Sequence, residues 1–169
     1  DFTRSKYACA VTSGTAGLFL ALKALDIGVG DEVIVPDFTF VASSNSIVET
    51  GAKPIFVDIE DKTLNMDLDE IKRKITKKTK AIMIVNFNGR VTNFTRLKNI
   101  AKKNNLKIVE DAAHSLGSWY KEIHQGTIGD IGVFSFSTPK IITTGQGGMI
   151  VTNNKKLYSK CMQLKDFGR

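Results

Sequence analysis

Three groups of residues in this chain have types and spacings that could do chemistry. Lys140 lies in the stretch GVFSFSTPKIITTGQGGMIVT, between an apolar run at 133–136 and a second at 149–151. A lysine held between strands, with small residues on both sides, can be brought against a flat ligand. Partial burial there favours the neutral amine that attacks carbonyls. Glu110, Asp111 and His114 fall in EDAAH at the end of another apolar run. Asp111 is placed to pair with a protonated ring nitrogen, and Ala113 is small enough for a ring to lie on the backbone. Ser13-Gly14-Thr15-Ala16 follows a third run and opens a helical pattern. Its amides and the Thr15 hydroxyl suit a phosphate at the positive end of a helix dipole. Each group also has a plain reading: a hairpin tip at Lys140, a helix cap before a core histidine in EDAAH, and an ordinary N-cap at Ser13. There is no dinucleotide glycine fingerprint, no P-loop and no metal-ligand spacing.

These residues need a frame to hold them. Short β-branched runs alternate with helical patterns along the chain. Strands are expected at 7–11, 31–36, 54–58, 81–87, 106–111, 133–136 and 149–151, with helices at 13–25, 39–50, 67–75 and 94–104. The segment HSLGSWYKEIHQGTIGD reads as irregular. Strands separated by crossover helices predict a three-layer α/β/α domain around a mostly parallel seven-stranded sheet. In such sheets ligands sit beyond the carboxyl ends of the strands, which is where the three groups fall.

At 169 residues the chain is the size of one domain, and 42% hydrophobic with 24% charged residues is ordinary for a globular protein. The net charge of +7 is spread over helical and loop segments such as KRKITKKTK, as on a solvated face, so no nucleic-acid partner is expected. Cys9 and Cys161 have no metal spacing and suggest a reducing, cytoplasmic compartment. No apolar run approaches the length of a membrane span. The chain starts and stops in mid-pattern, and 1–169 reads as the large domain of a longer protein, with an N-terminal segment and a C-terminal small domain outside it.

A phosphate cradle, an acid for a pyridinium and a lysine for a Schiff base are together what pyridoxal 5′-phosphate (PLP) needs from a protein. The segments TSGTAGLFLAL, DEVIVPDFTFVASSN, GAKPIFVDI, EDAAHSLGS, GDIGVFSFSTPKIITTGQGGMIVTN and LKDFGR, in that order and spacing, resemble the DegT/DnrJ/EryC1/StrS family of sugar aminotransferases. Within it, the lysine block and the DFGR end look most like the perosamine-synthase branch. The resemblance implies an aspartate-aminotransferase-like large domain that transfers an amino group from L-glutamate to a nucleotide-linked 4-keto-6-deoxy sugar. It also implies a homodimer with the site at the interface.

By the same resemblance, Lys140 is the Schiff-base lysine and Asp111 the partner of the pyridine nitrogen. His114 contacts the cofactor's phenolic oxygen, and Phe40 stacks on the ring. Thr15, Ala16 and Ser135 bind the phosphate, and Asn45 lies near the sugar pocket. Three residues depart from the family pattern: Gln146 stands where Glu is frequent, Asn86 where many members have His, and Pro139 directly before the lysine. Two neighbouring readings stay open. A nucleotide-sugar 3-dehydratase on the same scaffold carries His at the lysine position, so Lys140 argues against it. A non-catalytic PLP-fold protein or truncated product is not excluded by the residues present.

Overall fold

The computed structural model describes residues 2–168. Seven strands form the main sheet: β1 (Tyr7–Val11), β2 (Glu32–Pro36), β3 (Lys53–Val57), β4 (Thr79–Val85), β5 (Lys107–Asp111), β8 (Ile131–Ser135) and β9 (Gly148–Thr152). Their order is β1-β9-β8-β5-β4-β2-β3, and every strand but β9 runs the same way. Between β5 and β8 a small antiparallel hairpin, β6 (Trp119–Tyr120) with β7 (Ile123–His124), occupies the segment expected to be irregular.

Both faces of the sheet are apolar, so the strands are hydrophobic throughout rather than alternating. On β2, Val33 and Val35 pack into one core while Ile34 packs into the other; on β4, Ala81 and Met83 separate in the same way from Ile82 and Ile84. The first face is covered by α1 (Gly14–Ala24), α2 (Val41–Glu49) and α5 (Lys155–Lys165), which contribute Leu18, Leu22, Ile47 and Cys161. The second is covered by α3 (Leu68–Lys74) and α4 (Phe94–Lys103). On α4 the buried Phe94, Leu97, Ile100 and Ala101 recur at helical spacing, and Asn93 caps the start by accepting from Arg96 N–H. The result is the three-layer arrangement expected from the alternation of elements.

The expected elements are present, with ends shifted by a residue or two. Helix α5 is not among the expected elements; it packs Cys161, with Tyr158 and Met162 partly buried, on the first core, and its outer face is lysine-rich. Helix α2 begins at Val41, two residues later than expected, because Phe40 keeps an extended backbone (φ −67°, ψ 140°). Among the described residues no helix is long and apolar enough to cross a membrane.

Candidate active site

A cavity of about 610 Å³ opens at the carboxyl ends of β1, β2, β4, β5 and β8. Each strand exit delivers one part of its wall. The exit of β1 brings Ser13, Gly14 and Thr15; that of β2 brings Phe38, Thr39 and Phe40; that of β4 brings Phe87. The end of β5 brings Asp111, Ala113 and His114, and the end of β8 brings Ser135, Ser137, Pro139 and Lys140.

At the first exit, Ser13 is the N-cap of α1, and its hydroxyl accepts from Ala16 N–H at 3.1 Å. Gly17 N–H is bonded to the Ser13 carbonyl. The N–H groups of Gly14 and Thr15 are left with no hydrogen bond to the protein among the described residues, and the first turn of α1 holds no acidic side chain. This helix start is therefore an electropositive cradle with free donors. It lies tight against its neighbours. A Cβ on Gly14 would come within 2.9 Å of Ser135 Cβ, and one on Gly148 within 2.6 Å of the Ser13 carbonyl. The two glycines bring the helix start, β8 and β9 together, and the Ser135 hydroxyl reaches the same cradle.

At the centre, Asp111 is 6% exposed. Its Oδ2 accepts from the Ser43 hydroxyl at 2.7 Å, and its Oδ1 accepts from Ala113 N–H at 3.2 Å. No cation among the described residues forms a salt bridge with it. Burial pushes its carboxyl above the usual range, opposed first by the Ser43 hydroxyl, then by Ala113 N–H and by the nearby His114 and Lys140. His114 lies edge-on to Phe87, with ring centres 5.6 Å apart. Burial, together with the Lys140 charge, holds its imidazole below its ordinary value against the pull of Asp111. Its Nδ1 is buried without a partner.

Lys140 sits in the loop between β8 and β9, and this loop is braced from within. Lys140 N–H donates to the Ser137 carbonyl at 3.0 Å, closing a turn, while Phe136 and Gly147 pair across the loop's base. The Thr138, Thr143 and Thr144 hydroxyls bond to carbonyls of the same loop. The loop does join adjacent antiparallel strands, as the plain hairpin reading had it. Its lysine, however, is half-buried against the cavity rather than at an exposed tip.

The structure therefore brings Thr15, Phe40, Asp111, His114, Ser135 and Lys140 onto one cavity. Ala16 does not line it, since its amide is taken by the Ser13 cap; the available donors are one and two residues earlier. Asn45 is exposed on α2 and also lies outside the lining. Phe40 stands at the mouth, 71% exposed. Of the three departures, Gln146 and Pro139 reach the cavity, whereas Asn86 turns away to donate to Glu110 at 3.3 Å. Sequence reasoning missed Ser43, Phe38, Phe87 and Ser137. The signal for Ser43 was a serine-rich run, SSNS, in a helical pattern where hydroxyls compete with the backbone unless they have another partner.

These residues fit PLP. A buried carboxylate without a cation meets the need of a protonated ring nitrogen. An orphaned imidazole nitrogen meets that of a ring oxygen, and free helix-start amides meet that of a phosphate.

Comparison with known proteins gives a consistent picture. The profile of the DegT/DnrJ/EryC1/StrS aminotransferase family matches residues 1–169. GDP-perosamine synthase of Escherichia coli is 50% identical over 163 residues, which is 96% of this chain and 45% of that protein. The aminotransferase of Psychrobacter cryohalolentis superposes with a TM-score of 0.98 at 44% identity, covering 99% of this chain and 43% of that one. A Streptococcus pneumoniae chain assigned as a sugar aminotransferase, solved in its PLP form, superposes with a TM-score of 0.92 at 36% identity, over 96% of this chain and 47% of that one. This chain thus spans less than half the length of these relatives.

Proposed function

The chain belongs to the DegT/DnrJ/EryC1/StrS aminotransferase family, and from that premise we propose that it forms the core of a PLP-dependent aminotransferase acting on a nucleotide-linked 4-keto-6-deoxy sugar. The observation that carries this reading is the convergence of Lys140, Asp111, His114 and the start of α1 on one cavity. The identity of 50% to a GDP-perosamine synthase supports a nucleotide sugar as acceptor. L-glutamate is proposed as the amino donor.

When bound, PLP supplies an electron sink that stabilises negative charge at the carbon bearing the amine. The chain's own residues do the rest. Gly14 N–H, Thr15 and Ser135 hold the phosphate. Asp111 keeps the proton on the ring nitrogen, and Ser43 and Ala113 hold that carboxylate in place. His114 Nδ1 would serve the ring oxygen, and Phe40 at the cavity mouth would supply an aromatic surface for the ring. Lys140 Nζ would hold the cofactor at rest and, once freed by the amino donor, would serve as the base that takes the proton at the donor's Cα and as the acid that gives it back.

The protein is proposed to act as a homodimer. Phe40, Val41, Ile141 and Ile142 are exposed apolar residues on α2's start and the lysine loop, a surface that a second copy would cover. A cytoplasmic site of action is supported by two buried cysteines that remain free thiols.

The test is direct. The full-length protein is loaded with PLP, reduced with borohydride, digested and mapped for the modified residue. It is then assayed with glutamate against a panel of nucleotide 4-keto sugars. Labelling at Lys140 and release of 2-oxoglutarate with one of them is the expected result. Labelling elsewhere, or no amine transfer to any keto-sugar, would reject the reading.

A further inference from the structure

We propose that Ser43 is a positioning residue for the Asp111 carboxylate, and that Thr39 sets the direction of its hydroxyl. The inference rests on the PLP reading for its consequence, though not for its geometry.

Ser43 is fully buried on the inner side of α2. Its hydroxyl carries one proton, which goes to Asp111 Oδ2 at 2.7 Å. The neighbouring Thr39 hydroxyl is 2.9 Å from Ser43 Oγ. Because the Ser43 proton is committed, Thr39 must donate and Ser43 accept. The chain of hydroxyls therefore has one polarity, Thr39 to Ser43 to Asp111, and it ends on a carboxylate. Such chains polarise in sequence, which strengthens the last bond. Thr39 itself lines the cavity.

Two features make this more than a satisfied core serine. First, Asp111 has no other side-chain donor among the described residues; its remaining protein bond is to Ala113 N–H. Ser43 thus fixes how the carboxylate is rotated towards the cavity. Second, Ser43 N–H bonds to the Phe40 carbonyl at 3.1 Å. One residue therefore ties the aromatic at the mouth to the acid at the floor, so that the two groups meant for the ring are spaced by a single turn of α2. His114 and Lys140 are the titratable groups that act on Asp111 from the ends of β5 and β8. Neither lies on α2, so Ser43 is what that helix contributes.

The sign of the effect follows. A hydrogen bond to the charged form lowers a carboxyl's pKa. Removing it raises the pH at which Asp111 becomes neutral and can no longer hold the ring proton.

The experiment compares Ser43→Ala, Ser43→Thr and Thr39→Val in the full-length protein, each alone and in an Asp111→Asn background. Two readouts are taken. One is the Asp111 titration followed by carboxyl carbon NMR without cofactor; the other is PLP affinity. Ser43→Ala should move the Asp111 titration to higher pH and weaken PLP about tenfold. Ser43→Thr should restore both, and Thr39→Val should act in the same direction but less. In the Asp111→Asn background, Ser43→Ala should cost little further affinity. An unmoved Asp111 titration, or an equal loss of affinity in both backgrounds, would overturn the positioning role. If Ser43→Ala does not fold, Thr39→Val decides by the same two readouts. If the wild type binds no PLP, the cofactor reading falls, and the cofactor-free titration still decides what Ser43 does to Asp111.

Discussion

Glu110 and Asp111 are consecutive on β5 and point to opposite sides of the sheet. Asp111 faces the cavity, while Glu110 is wholly buried behind it and gathers four N–H donors. Its Oε1 accepts from Ile128 and Gly129 N–H at 2.7 and 2.6 Å, and its Oε2 from Gly126 N–H at 2.6 Å and Asn86 Nδ2 at 3.3 Å. One carboxylate meets the ligand space; the other clasps the loop that leads into β8. Glu110→Gln puts an amide NH2 where an oxygen accepted, leaving buried donors facing a donor. The expected cost is roughly 3 kcal/mol, which lowers the melting temperature by roughly 6–12 °C. Thermal unfolding of the two proteins checks it, and an unchanged melting temperature would show that the loop does not depend on the clasp.

Lys140→Ala should abolish the borohydride-reducible link to PLP and all amine transfer, while the fold stays intact. The loop around it is held by Phe136, Gly147 and threonine hydroxyls rather than by the lysine side chain. Circular dichroism and absorbance titration with PLP separate the two effects. Residual transamination at wild-type rate would exclude Lys140 as the attacking amine.

Gly148→Ala tests the close approach of β9 to the start of α1. The added methyl would lie 2.6 Å from the Ser13 carbonyl and 2.8 Å from Gly14 N, so the helix start must move. Overpacking of this kind costs about 1–3 kcal/mol. Affinity for PLP, and for inorganic phosphate as a competitor, should fall together with stability. Normal phosphate competition in a destabilised variant would place the phosphate elsewhere.

His124 gives a pH dependence. Its Nδ1 is bonded to the Gln125 carbonyl and its Nε2 accepts from Gly117 N–H at 2.8 Å, so the ring must be neutral. Burial holds it below its ordinary value. A base with a lowered folded value releases its proton on folding. Its contribution to stability is therefore complete above the unfolded value of about 6.5 and is lost as the pH falls towards the folded one. His114 acts in the same sense. Denaturant unfolding between pH 7 and 5 should show stability falling with acid, with a slope smaller by up to one proton in His124→Asn than in the wild type. Identical slopes would show that His124 binds its proton equally in the folded and unfolded chain.

Much of this architecture was legible because the sheet is buried on both faces. Uniformly apolar runs such as AIMIV and short crossover helices leave few alternatives to a parallel α/β sheet, and carboxyl-end loops then collect Asp111, His114 and Lys140. What escaped had a physical cause in each case. Helix α5 sets only a short stripe, Tyr158, Cys161 and Met162, on the core, and the lysines around that stripe hid it. The β6–β7 hairpin has only two residues per strand, below what alternation can signal. Ser43 is defined by a partner 68 residues away, and no local pattern encodes that bond. Ala16 shows the opposite error: the helix start was located, but which amides the Ser13 cap would consume depends on cap geometry.

The strand that runs against the others has a temporal consequence. β9 pairs with β8 on one side and with β1 on the other, aligning Tyr7 with Thr152. The phosphate cradle after β1 and the lysine loop before β9 share one sheet only once β9 pairs with β8, because the edge strand β1 is joined to the sheet through β9 alone. The pairing of β1 with β9 spans nearly the whole sequence and is entropically slow to form. During synthesis the ligand space therefore stays open until β9 has left the ribosome, and no shorter nascent chain should retain the cofactor. Retention of PLP is then expected to follow the pairing of β9 with β8 and β1.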